Sequence, residues 1–535
     1  MTLFPRIDNT FPHNVIYRER FGAIFAHSAT IAAPRGSALL WEGQLFETHL
    51  IIDGRSVEPG LSGQFERRDP MSDAVVTRAA ACTADQARDA ANASARAFVT
   101  WSETDPAERQ AILDCAAGLI TDRLEEVTQI ATEEIGSSPD WVRFNGAIAA
   151  DMLRQTADLT SAFAETRIEE SGYLLRRRPA GVVLGIAPWN AAVTLAVRAV
   201  AAPLACGNTV VLKGSELCPK THEWVARVLN DAGLPAGVLN YVTNAPDQAE
   251  EIVDALIAHP AVRRINFTGS TRVGRDIAVR AARHLKPCLL ELSGKGTMIV
   301  LSDADLDHAA KAAAFGSFFN QGQICMSTER IIVEDTIADA FVARLAVEVE
   351  KMRFTPGAPP PLGALISPSA AVRVRALIDD AIGKGARLVC GGELAGGGLQ
   401  PAVLDEVAPG MRLFSEEAFG PVAGITRVGS REEALSVAND TEFGLVAAVF
   451  SADEAGATDM LRRIEVGIGH VNGSTVFDDP SMPFGGVKAS GYGRFGGREA
   501  LHEFTECQWI AIHGEEIGGL PGQGAINGIT REETG

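Results

Sequence analysis

The stretch GNTVVLKGSELCPKTHEWVARVLNDAGLPAGVLNYV, residues 207–242, decides the fold. It begins with a short apolar run that ends at Lys213 and is typical of a buried strand. An amphipathic segment follows, with apolar residues in helical spacing on one stripe, and Gly233 and Pro235 end it. A second apolar run, VLNYV, closes the unit. Strand, helix and strand in this order predict a βαβ unit with a parallel sheet.

The same alternation continues on both sides of this unit. Upstream, GYLLRRRPAGVVLGIAPWN, residues 172–190, predicts an edge strand, a turn and a buried strand. Downstream, RRINFTGS, residues 263–270, predicts a strand that runs into a glycine turn. Thr83 and Gln86 form a capping-box pattern, which predicts the start of an Ala-rich helix. Because strands and helices alternate again after about residue 291, we predict an α/β fold with a second α/β domain.

Composition argues against several classes of protein. The 535 residues are 46% hydrophobic, which is ample for a large core of two or three domains. The formal net charge of −20 argues against nucleic acid or an anionic membrane as the main partner. No apolar run reaches the length of a membrane-spanning helix, and the first residues lack a signal-peptide pattern.

The eight cysteines are scattered along the chain, without a C-x-x-C pair or a tight cluster with histidine. This spacing predicts neither a disulfide framework nor a metal site. It fits a protein of a reducing compartment, so we expect a cytoplasmic location.

Two short stretches hold residues that could react with a substrate. In NQGQICMSTER, residues 320–330, Cys325 stands among small and amide side chains and could be an inert packed thiol or a nucleophile. In LLELSGKG, residues 289–296, Glu291 follows an apolar pair and precedes glycine turns. A carboxyl at the end of a buried strand tends to have a raised pKa, which suits a general base. A lone Glu at a strand end more commonly just reaches solvent.

Two further stretches could hold a phosphate-containing ligand. In FTGSTRVG, residues 267–274, a strand is expected to end and a helix to begin near Ser270, and a helix N-terminus suits a pyrophosphate. This is not the G-x-G-x-x-G fingerprint, so an ordinary turn is an equal alternative. In LKGSE, Lys213 and Glu216 follow a strand end, where open α/β sheets bind ligands. Taken alone, the two would be read as a solvated charged pair.

Taken together, the motifs resemble those of the aldehyde dehydrogenase superfamily, in the same order and over roughly residues 48–512. The seven motifs are APWN, LKGSE, FTGSTRVG, ELSGKG, NQGQICMSTER, EEAFGPV and PFGGVKASGYGR. The resemblance implies that Cys325 is the nucleophile and that Glu291 activates the hydrolytic water. It also implies that Asn190 and the backbone N–H of Cys325 form an oxyanion hole.

The resemblance further implies NAD as the cofactor, since a carboxylate at Glu216 would repel the 2′-phosphate of NADP. The implied cofactor contacts are Trp189, Lys213, Glu216, Gly269, Ser270, Glu417 and Phe419. Two residues depart from the family pattern, because this chain has Ser293 and Gly296 where the family usually reads E-L-G-G-K-S. Cofactor affinity or the mobility of Glu291 could therefore differ.

The implied organisation is an aldehyde dehydrogenase-like α/β fold, with a Rossmann-type NAD-binding domain, an α/β catalytic domain and a small β oligomerisation arm. We expect an N-terminal extension of unknown role (1–46), an NAD-binding domain (47–290, interrupted by arm strands near 166–179), a catalytic domain (291–485), the arm (486–513) and a flexible tail (514–535). The arm implies a homodimer or homotetramer.

Within the superfamily, the motifs look most like the salicylaldehyde and vanillin dehydrogenase branch, which implies an aromatic aldehyde substrate. Trp141 and Arg198 match positions on helices that flank the substrate tunnel there. Trp141 could stack on the ring and Arg198 could meet a phenolic hydroxyl. Alternatively, Trp141 packs in the core and Arg198 is a structural ion-pair partner.

Three other functions stay open from the sequence. One is a semialdehyde dehydrogenase for an aliphatic substrate. The second is a catalytically silent homologue that retains NAD, which Ser293 and Gly296 keep possible. The third is a cysteine hydrolase, but none of the ten histidines falls in the seven motifs to partner Cys325.

Overall fold

The predicted strands and helices assemble around two large β-sheets. We analysed a computed structural model, which describes residues 45–60, 63–162, 166–167, 173–353, 362–395 and 398–511. The N-terminal extension up to residue 44 and the C-terminal tail lie outside the described residues. The predictions about both segments therefore stay predictions.

The strands and helices are numbered along the chain. The strands are β1 Phe46–Thr48, β2 Leu50–Ile52, β3 Arg55–Val57, β4 Gln64–Arg68, β5 Val75–Ala80, β6 Thr166–Arg167, β7 Leu174–Pro179, β8 Val182–Ile186, β9 Thr209–Lys213, β10 Leu239–Val242, β11 Val262–Thr268, β12 Cys288–Glu291, β13 Gly296–Val300, β14 Thr328–Glu334, β15 Arg387–Cys390, β16 Leu394–Ala395, β17 Gly398–Leu399, β18 Ala402–Asp405, β19 Val422–Val428, β20 Val446–Phe450, β21 Ile468–Val471, β22 Gly491–Tyr492 and β23 Thr505–Ile510. The helices are α1 Ala84–Trp101, α2 Pro106–Asp122, α3 Leu124–Ile135, α4 Pro139–Asp158, α5 Ala192–Ala205, α6 Pro219–Asp231, α7 Ala249–Ala258, α8 Thr271–Arg283, α9 Leu306–Phe318, α10 Asp335–Glu350, α11 Pro368–Gly383, α12 Arg412–Ser415, α13 Arg431–Asn439, α14 Glu454–Arg462 and α15 Glu499–Phe504.

The first large sheet has eight strands in the order β22-β12-β11-β8-β9-β10-β2-β3. The five neighbours from β12 to β10 run parallel, which confirms the predicted βαβ units. The chain passes from β8 outward to β9 and β10, and then returns to place β11 on the other side of β8. The strand order therefore reverses between β8 and β11, and ligands of open α/β sheets bind at such a point.

The second large sheet has seven strands in the order β15-β18-β19-β14-β13-β20-β21. All neighbours are parallel except the edge pair of β15 and β18. This confirms the prediction of a second α/β region after residue 291.

The parallel strands are apolar throughout because both faces of each sheet are covered. In β9, Val210 and Leu212 pack into one apolar cluster, and Val211 between them packs into the cluster on the opposite face. Buried parallel strands carry continuous apolar runs for this reason, rather than alternating ones. No helix in the described part of the chain is both long and apolar enough to cross a membrane.

Local sequence sets the start of α1. The hydroxyl of Thr83 accepts from the N–H of Gln86 at 3.1 Å, and the side chain of Gln86 accepts from the N–H of Thr83 at 3.0 Å. The predicted capping box is confirmed.

A small third sheet stands apart from the alternation, as the sequence predicted. β23 pairs antiparallel with β7, from Thr505 opposite Pro179 to Ile510 opposite Leu174, and β6 pairs with the other side of β7. In the single chain, β23 is an edge strand of this sheet. Its Trp509 is 63% exposed.

Candidate active site

Residues from both large sheets meet at one cavity of about 270 Å³. Segments that follow β8, β11 and β12 reach it from the carboxyl edge of the first sheet. Segments that precede β14 and β19 reach it from the amino edge of the second sheet. Eight residues that the sequence singled out line this cavity: Trp189, Asn190, Gly269, Ser270, Glu291, Cys325, Glu417 and Phe419.

Cys325 lies in a tight loop between α9 and β14. Just before it, Asn320, Gln321 and Gly322 have positive φ angles of 49°, 58° and 67°. A left-handed backbone is strained for residues with a side chain, so contacts from elsewhere must hold the loop in place. At Gly322 a Cβ atom would stand 2.3 Å from the carbonyl oxygen of Gly420, which excludes a larger residue. The loop presents the partly exposed thiol of Cys325 to the cavity.

Asn190 is held beside this loop by its backbone and by its side chain. Its carbonyl accepts from the indole N–H of Trp141 at 2.9 Å and from the amide of Asn320 at 3.1 Å. Its own Nδ2 donates to the carbonyl of Gln323 at 3.0 Å, two residues before Cys325. An amide nitrogen carries two hydrogens, so one remains for an oxygen in the cavity.

Glu291 is the last residue of β12 and is only 1% exposed. Burial raises the pKa of Glu291 to about 8, and the nearby positive charge of Arg198 opposes this shift only in part. The Oε1 atom of Glu291 has no hydrogen-bond partner within the described residues. A buried carboxyl with a free acceptor atom and a pKa near neutrality suits a general base.

The thiol of Cys325 and the carboxyl of Glu291 lie side by side at the cavity. Burial raises the pKa of Cys325 well above its ordinary value, and the Glu291 carboxylate raises it further through its charge and this contact. The charge of Arg198 opposes the shift. In the free protein at neutral pH, the thiol is therefore protonated.

The segment after Glu291 packs directly on the backbone of the Cys325 loop. At Gly294 a Cβ atom would stand 2.1 Å from the carbonyl oxygen of Cys325. At Gly296 it would stand 2.3 Å from the carbonyl oxygen of Ser327. Backbone atoms cannot retreat as a flexible side chain can, so this structure requires glycine at both positions. Gly296, one of the two departures from the family pattern, therefore fits its surroundings.

Ser293, the other departure, also lines the cavity. Its hydroxyl lies near the Glu417 carboxylate and opposes in part the rise in the pKa of that group. The N–H of Thr271, the first residue of α8, points to the same hydroxyl at 3.4 Å. The carbonyl of Ser293 accepts from the hydroxyl of Ser490 at 2.7 Å.

The N-terminus of α8 opens at the cavity through Gly269 and Ser270. Ser270 is the N-cap residue, and its hydroxyl accepts from the N–H of Val273 at 3.4 Å. Gly274 lets α8 pack closely against Leu292, since a Cβ there would stand 2.3 Å from the end of the Leu292 side chain. The predicted strand end at Thr268 and helix start near Ser270 are confirmed.

Glu417 and Phe419 reach the cavity from the segment before β19. The carboxylate of Glu417 accepts from the N–H of Gly294 at 2.8 Å. Burial raises the pKa of Glu417 to about 7 and the negative charge of Glu329 adds to the shift. The ring of Phe419 meets Trp189 edge to face, with 5.8 Å between centroids.

Four residues singled out from the sequence do not line this cavity. Lys213 and Glu216 form an ion pair of 3.6 Å at the end of β9. Trp141 packs edge-on against Phe319, at 5.0 Å between centroids, and donates its indole N–H to Asn190.

Arg198, the fourth, is buried in an ion pair with Asp478, and its guanidinium lies 3.9 Å from the centre of the Phe484 ring. The substrate contacts implied for Trp141 and Arg198 stay predictions, with a structural partner now assigned to each side chain.

Sequence reasoning missed Arg373. It lies on α11, lines the cavity, and donates to the carbonyls of Glu417 at 3.4 Å and Phe419 at 3.5 Å. A single arginine on an amphipathic helix, outside any motif, gives no signal in the sequence.

The fold and the cavity define a two-sheet α/β protein with a cysteine, a carboxyl and an amide at one site. A family model described as the aldehyde dehydrogenase family matches residues 57–510. The chain belongs to the aldehyde dehydrogenase family, and is an enzyme that oxidises aldehydes.

Similar proteins agree with this assignment. A vanillin dehydrogenase from Pseudomonas fluorescens is 51% identical over 474 residues, which cover 88% of this chain and 98% of that protein. A salicylaldehyde dehydrogenase from Pseudomonas putida is 46% identical over 476 residues, covering 87% and 98%. The crystal structure of a salicylaldehyde dehydrogenase from Pseudomonas putida G7, complexed with salicylaldehyde, superposes with a TM-score of 0.85 at 44% identity, covering 88% and 99%. The predicted aldehyde dehydrogenase-like fold is confirmed.

Proposed function

We propose that the protein oxidises an aromatic aldehyde to the carboxylic acid with NAD⁺, through a covalent intermediate on Cys325. The observation that carries the proposal is the meeting of Cys325, Glu291 and Asn190 at one cavity, where two sheet edges face each other. Similarity to vanillin and salicylaldehyde dehydrogenases supports the aromatic class of substrate.

The chemistry of the first half-reaction follows from the Cys325 loop and Asn190. The sulfur of Cys325 adds to the carbonyl carbon of the aldehyde, and the carbonyl oxygen becomes an alkoxide. The free hydrogen on Nδ2 of Asn190 and the N–H of Cys325 stabilise this oxygen, and fixed donors of this kind cost no reorganisation during the reaction. A bound nicotinamide dinucleotide supplies the acceptor for the hydride that leaves the carbon. A thioester on Cys325 remains.

The second half-reaction belongs to Glu291. Its carboxylate takes a proton from water, and the resulting hydroxide attacks the thioester and releases the acid. Because the pKa of Glu291 is about 8, a useful fraction is ionised near neutral pH and the base is strong enough to act. The same carboxylate takes the proton of the neighbouring Cys325 thiol at the start and passes it to solvent before it takes a proton from water.

The residues at the carboxyl edge of the first sheet fit a dinucleotide. The open N-terminus of α8 at Gly269 and Ser270 suits a diphosphate. The carboxylate of Glu417 suits ribose hydroxyls, and Trp189 with Phe419 offers aromatic faces beside the thiol. We propose that these residues hold the cofactor.

A preference of the enzyme for NAD over NADP is supported by Glu216, because its carboxylate would repel the 2′-phosphate of NADP. Its partner Lys213 lies 3.6 Å away and would attract one. We expect Glu216→Gln to raise kcat/KM for NADP⁺ by about tenfold, the worth of removing one such repulsion, and to lower it for NAD⁺. Steady-state kinetics with both cofactors measure the ratio, and an unchanged ratio would remove Glu216 as the discriminating residue.

The proposed substrate contact of Arg198 is tested best with a double variant that removes the charges of both Arg198 and its partner Asp478. Arg198→Ala alone would leave Asp478 buried without its partner, and an unpaired buried charge destabilises the fold. The double variant R198M/D478N keeps the volume and removes both charges. If Arg198 meets a phenolic hydroxyl, this variant lowers kcat/KM for salicylaldehyde relative to benzaldehyde. Equal losses on both aldehydes would leave Arg198 a purely structural role.

The first experiment is the formation of reduced nicotinamide from NAD⁺ with benzaldehyde, salicylaldehyde, vanillin and succinic semialdehyde, and with Cys325→Ala as control. We expect turnover on the aromatic aldehydes that is lost in the control. A preference for succinic semialdehyde would support the aliphatic alternative. Absence of turnover on every aldehyde, with cofactor binding intact, would support a catalytically silent homologue.

We further propose that the chain forms a homodimer or homotetramer through its third sheet and acts in the cytoplasm. The exposed Trp509 on the edge strand β23 supports the assembly, since exposed edges need covering. The eight cysteines are all unpaired, which suits a reducing compartment.

A further inference from the structure

A buried ion pair joins the segment that follows Glu291 to the strand that follows Cys325. Lys295 comes four residues after Glu291, and Glu329 comes four residues after Cys325. Their side chains are 0% and 3% exposed, and Nζ of Lys295 lies 2.7 Å from Oε2 of Glu329. None of the roles assigned above uses either residue.

Both partners also bind the backbone of residues 416–419. Lys295 donates to the carbonyl of Glu416 at 2.6 Å. The two oxygens of Glu329 accept from the N–H of Ala418 at 2.7 Å and from the N–H of Phe419 at 2.9 Å. The ion pair therefore makes three hydrogen bonds to the backbone of this segment.

Residues 416–419 include two of the proposed cofactor contacts, Glu417 and Phe419. Phe419 has a φ angle of 45°, a left-handed conformation that costs energy for a residue with a side chain. The hydrogen bond from its N–H to Glu329 holds it there and keeps its ring against Trp189. Glu417 lies between the two bonded residues Glu416 and Ala418, and it lines the cavity.

Stability is a weak reason for a pair of this kind. Removing two charges from water costs about as much as their attraction returns, so the attraction between the two charges adds little net stability. Positioning of residues 416–419 is a better reason, because an apolar pair could not bind the three backbone groups.

We propose that the Lys295–Glu329 pair is a positioning device that sets the conformation of residues 416–419 and thereby the affinity of the enzyme for its nicotinamide cofactor. This proposal rests on the proposed function. It assigns both side chains to cofactor binding without direct contact with the cofactor.

The first variant is Glu329→Gln. An amide keeps one acceptor oxygen and replaces the other with a donor, which then faces the N–H of Ala418 and the ammonium of Lys295. We expect the dissociation constant of reduced nicotinamide cofactor, measured by fluorescence titration, and KM for NAD⁺ to rise about tenfold, the worth of one hydrogen bond to a charged group. The KM for the aldehyde should stay within twofold of wild type, which is about the spread of a neutral change.

The matched control is Glu432→Gln, which removes one carboxylate from an exposed pair with Arg463. It should leave all constants at the wild-type values. A cofactor-free reaction, the hydrolysis of p-nitrophenyl acetate, reports the nucleophile and base separately from cofactor binding. Glu329→Gln should keep this esterase rate, whereas general damage to the site would lower it together with the oxidation rate.

A second variant, K295M/E329M, separates positioning from folding. It replaces the pair with apolar side chains and leaves three backbone groups without a partner, so the melting temperature should fall while the protein stays folded and keeps its esterase rate. Its cofactor affinity, measured well below the melting temperature, should fall by at least as much as that of Glu329→Gln. Wild-type cofactor affinity in this double variant would overturn the proposal. So would a loss of esterase activity in step with oxidation. Failure of the wild-type enzyme to oxidise any aldehyde would sink the proposed function instead, and the binding titration would still compare the variants.

Discussion

The ionisable side chains of Glu291 and Cys325 lie next to each other in the candidate active site. Burial raises the pKa of Glu291 to about 8, and burial together with the Glu291 carboxylate raises the pKa of Cys325 well above its ordinary value. Neither group ionises easily while the other is charged. The free enzyme therefore keeps a protonated thiol next to the group that can deprotonate it. A protonated thiol of this kind resists oxidation and alkylation.

Glu291→Gln should separate the two tasks of this pair. Without the general base, steady-state oxidation should fall by about a hundredfold or more, in the range typical of general bases. Without the negative charge, the pKa of Cys325 should fall from its wild-type value above about pH 8, where the wild-type carboxylate is ionised, so iodoacetamide should alkylate the free variant faster than wild type in that range. Stopped alkylation time courses and reduced-nicotinamide assays measure both effects, and an alkylation rate equal to that of wild type would contradict the assigned coupling.

The pH dependence follows from the direction of the same shift. Glu291 is active as a base only when ionised, and its raised pKa means that ionisation occurs as the pH rises through about 8. Wild-type turnover limited by hydrolysis should therefore rise over this range and level off above it. The profile of kcat against pH tests this, and a flat profile between neutral pH and about 9 would assign the base to another group.

At the scale of elements, contacts between distant segments decide where the reactive groups stand. The indole N–H of Trp141, on α4, holds the backbone of Asn190 after β8. The start of β13 lies against the backbone of the Cys325 loop so closely that only glycine fits. These contacts connect helices and strands that are far apart in the chain.

Trp141→Phe should lower kcat by about fivefold to tenfold, because it removes one buried hydrogen bond that orients Asn190 and keeps the aromatic packing. The matched control is Trp224→Phe, since Nε1 of the buried Trp224 has no hydrogen-bond partner among the described residues. The control should keep activity, and since both variants lose the same volume from the core, their melting temperatures should fall by similar amounts. Equal kcat values for the two variants would show that the bond to Asn190 does not matter for turnover.

Gly296→Ser would restore the residue that the family usually has at this position. Here it should destabilise the fold by about 1–3 kcal/mol, the usual cost of overpacking, because its Cβ meets the carbonyl oxygen of Ser327. Gly118→Ser, in α2 and with open space around it, is the control and should cost nothing. Denaturant unfolding compares the two, and equal stability would mean that the Ser327 backbone can move aside.

At the scale of the whole molecule, one surface stands out. The third sheet lies outside the two large sheets and exposes Trp509 on its edge strand β23, with Tyr173 beside it at 5.3 Å between ring centroids. Large apolar side chains on an unpaired edge are typical of an interface between chains.

Trp509→Glu should shift the enzyme to a smaller assembly in light scattering after size exclusion. The side chain is 63% exposed in the single chain, so the change should not disturb the fold of the subunit. Val347→Glu, at a site that is 61% exposed on α10, is the matched control and should keep the wild-type mass. An unchanged mass for Trp509→Glu would place the interface elsewhere.

Local sequence by itself predicted many of the strands and helices, and the resemblance of the motifs singled out the residues proposed to react. The capping box at Thr83, the glycine turn at Gly269 and the apolar run to Lys213 are short-range signals, and each depends on the backbone physics of a few neighbouring residues. The order of the motifs was enough to single out Cys325, Glu291 and Asn190.

Only the tertiary structure decided which side chains touch. Arg198 lies against Asp478, Trp141 against Asn190, and Arg373 at the cavity, although none of these pairings has a local signal. Lys295, just before β13, pairs with Glu329 on the neighbouring strand β14, and both bind a third segment, residues 416–419. The physical reason is that burial, charge and close packing depend on neighbours in space, which the order of residues along the chain does not contain.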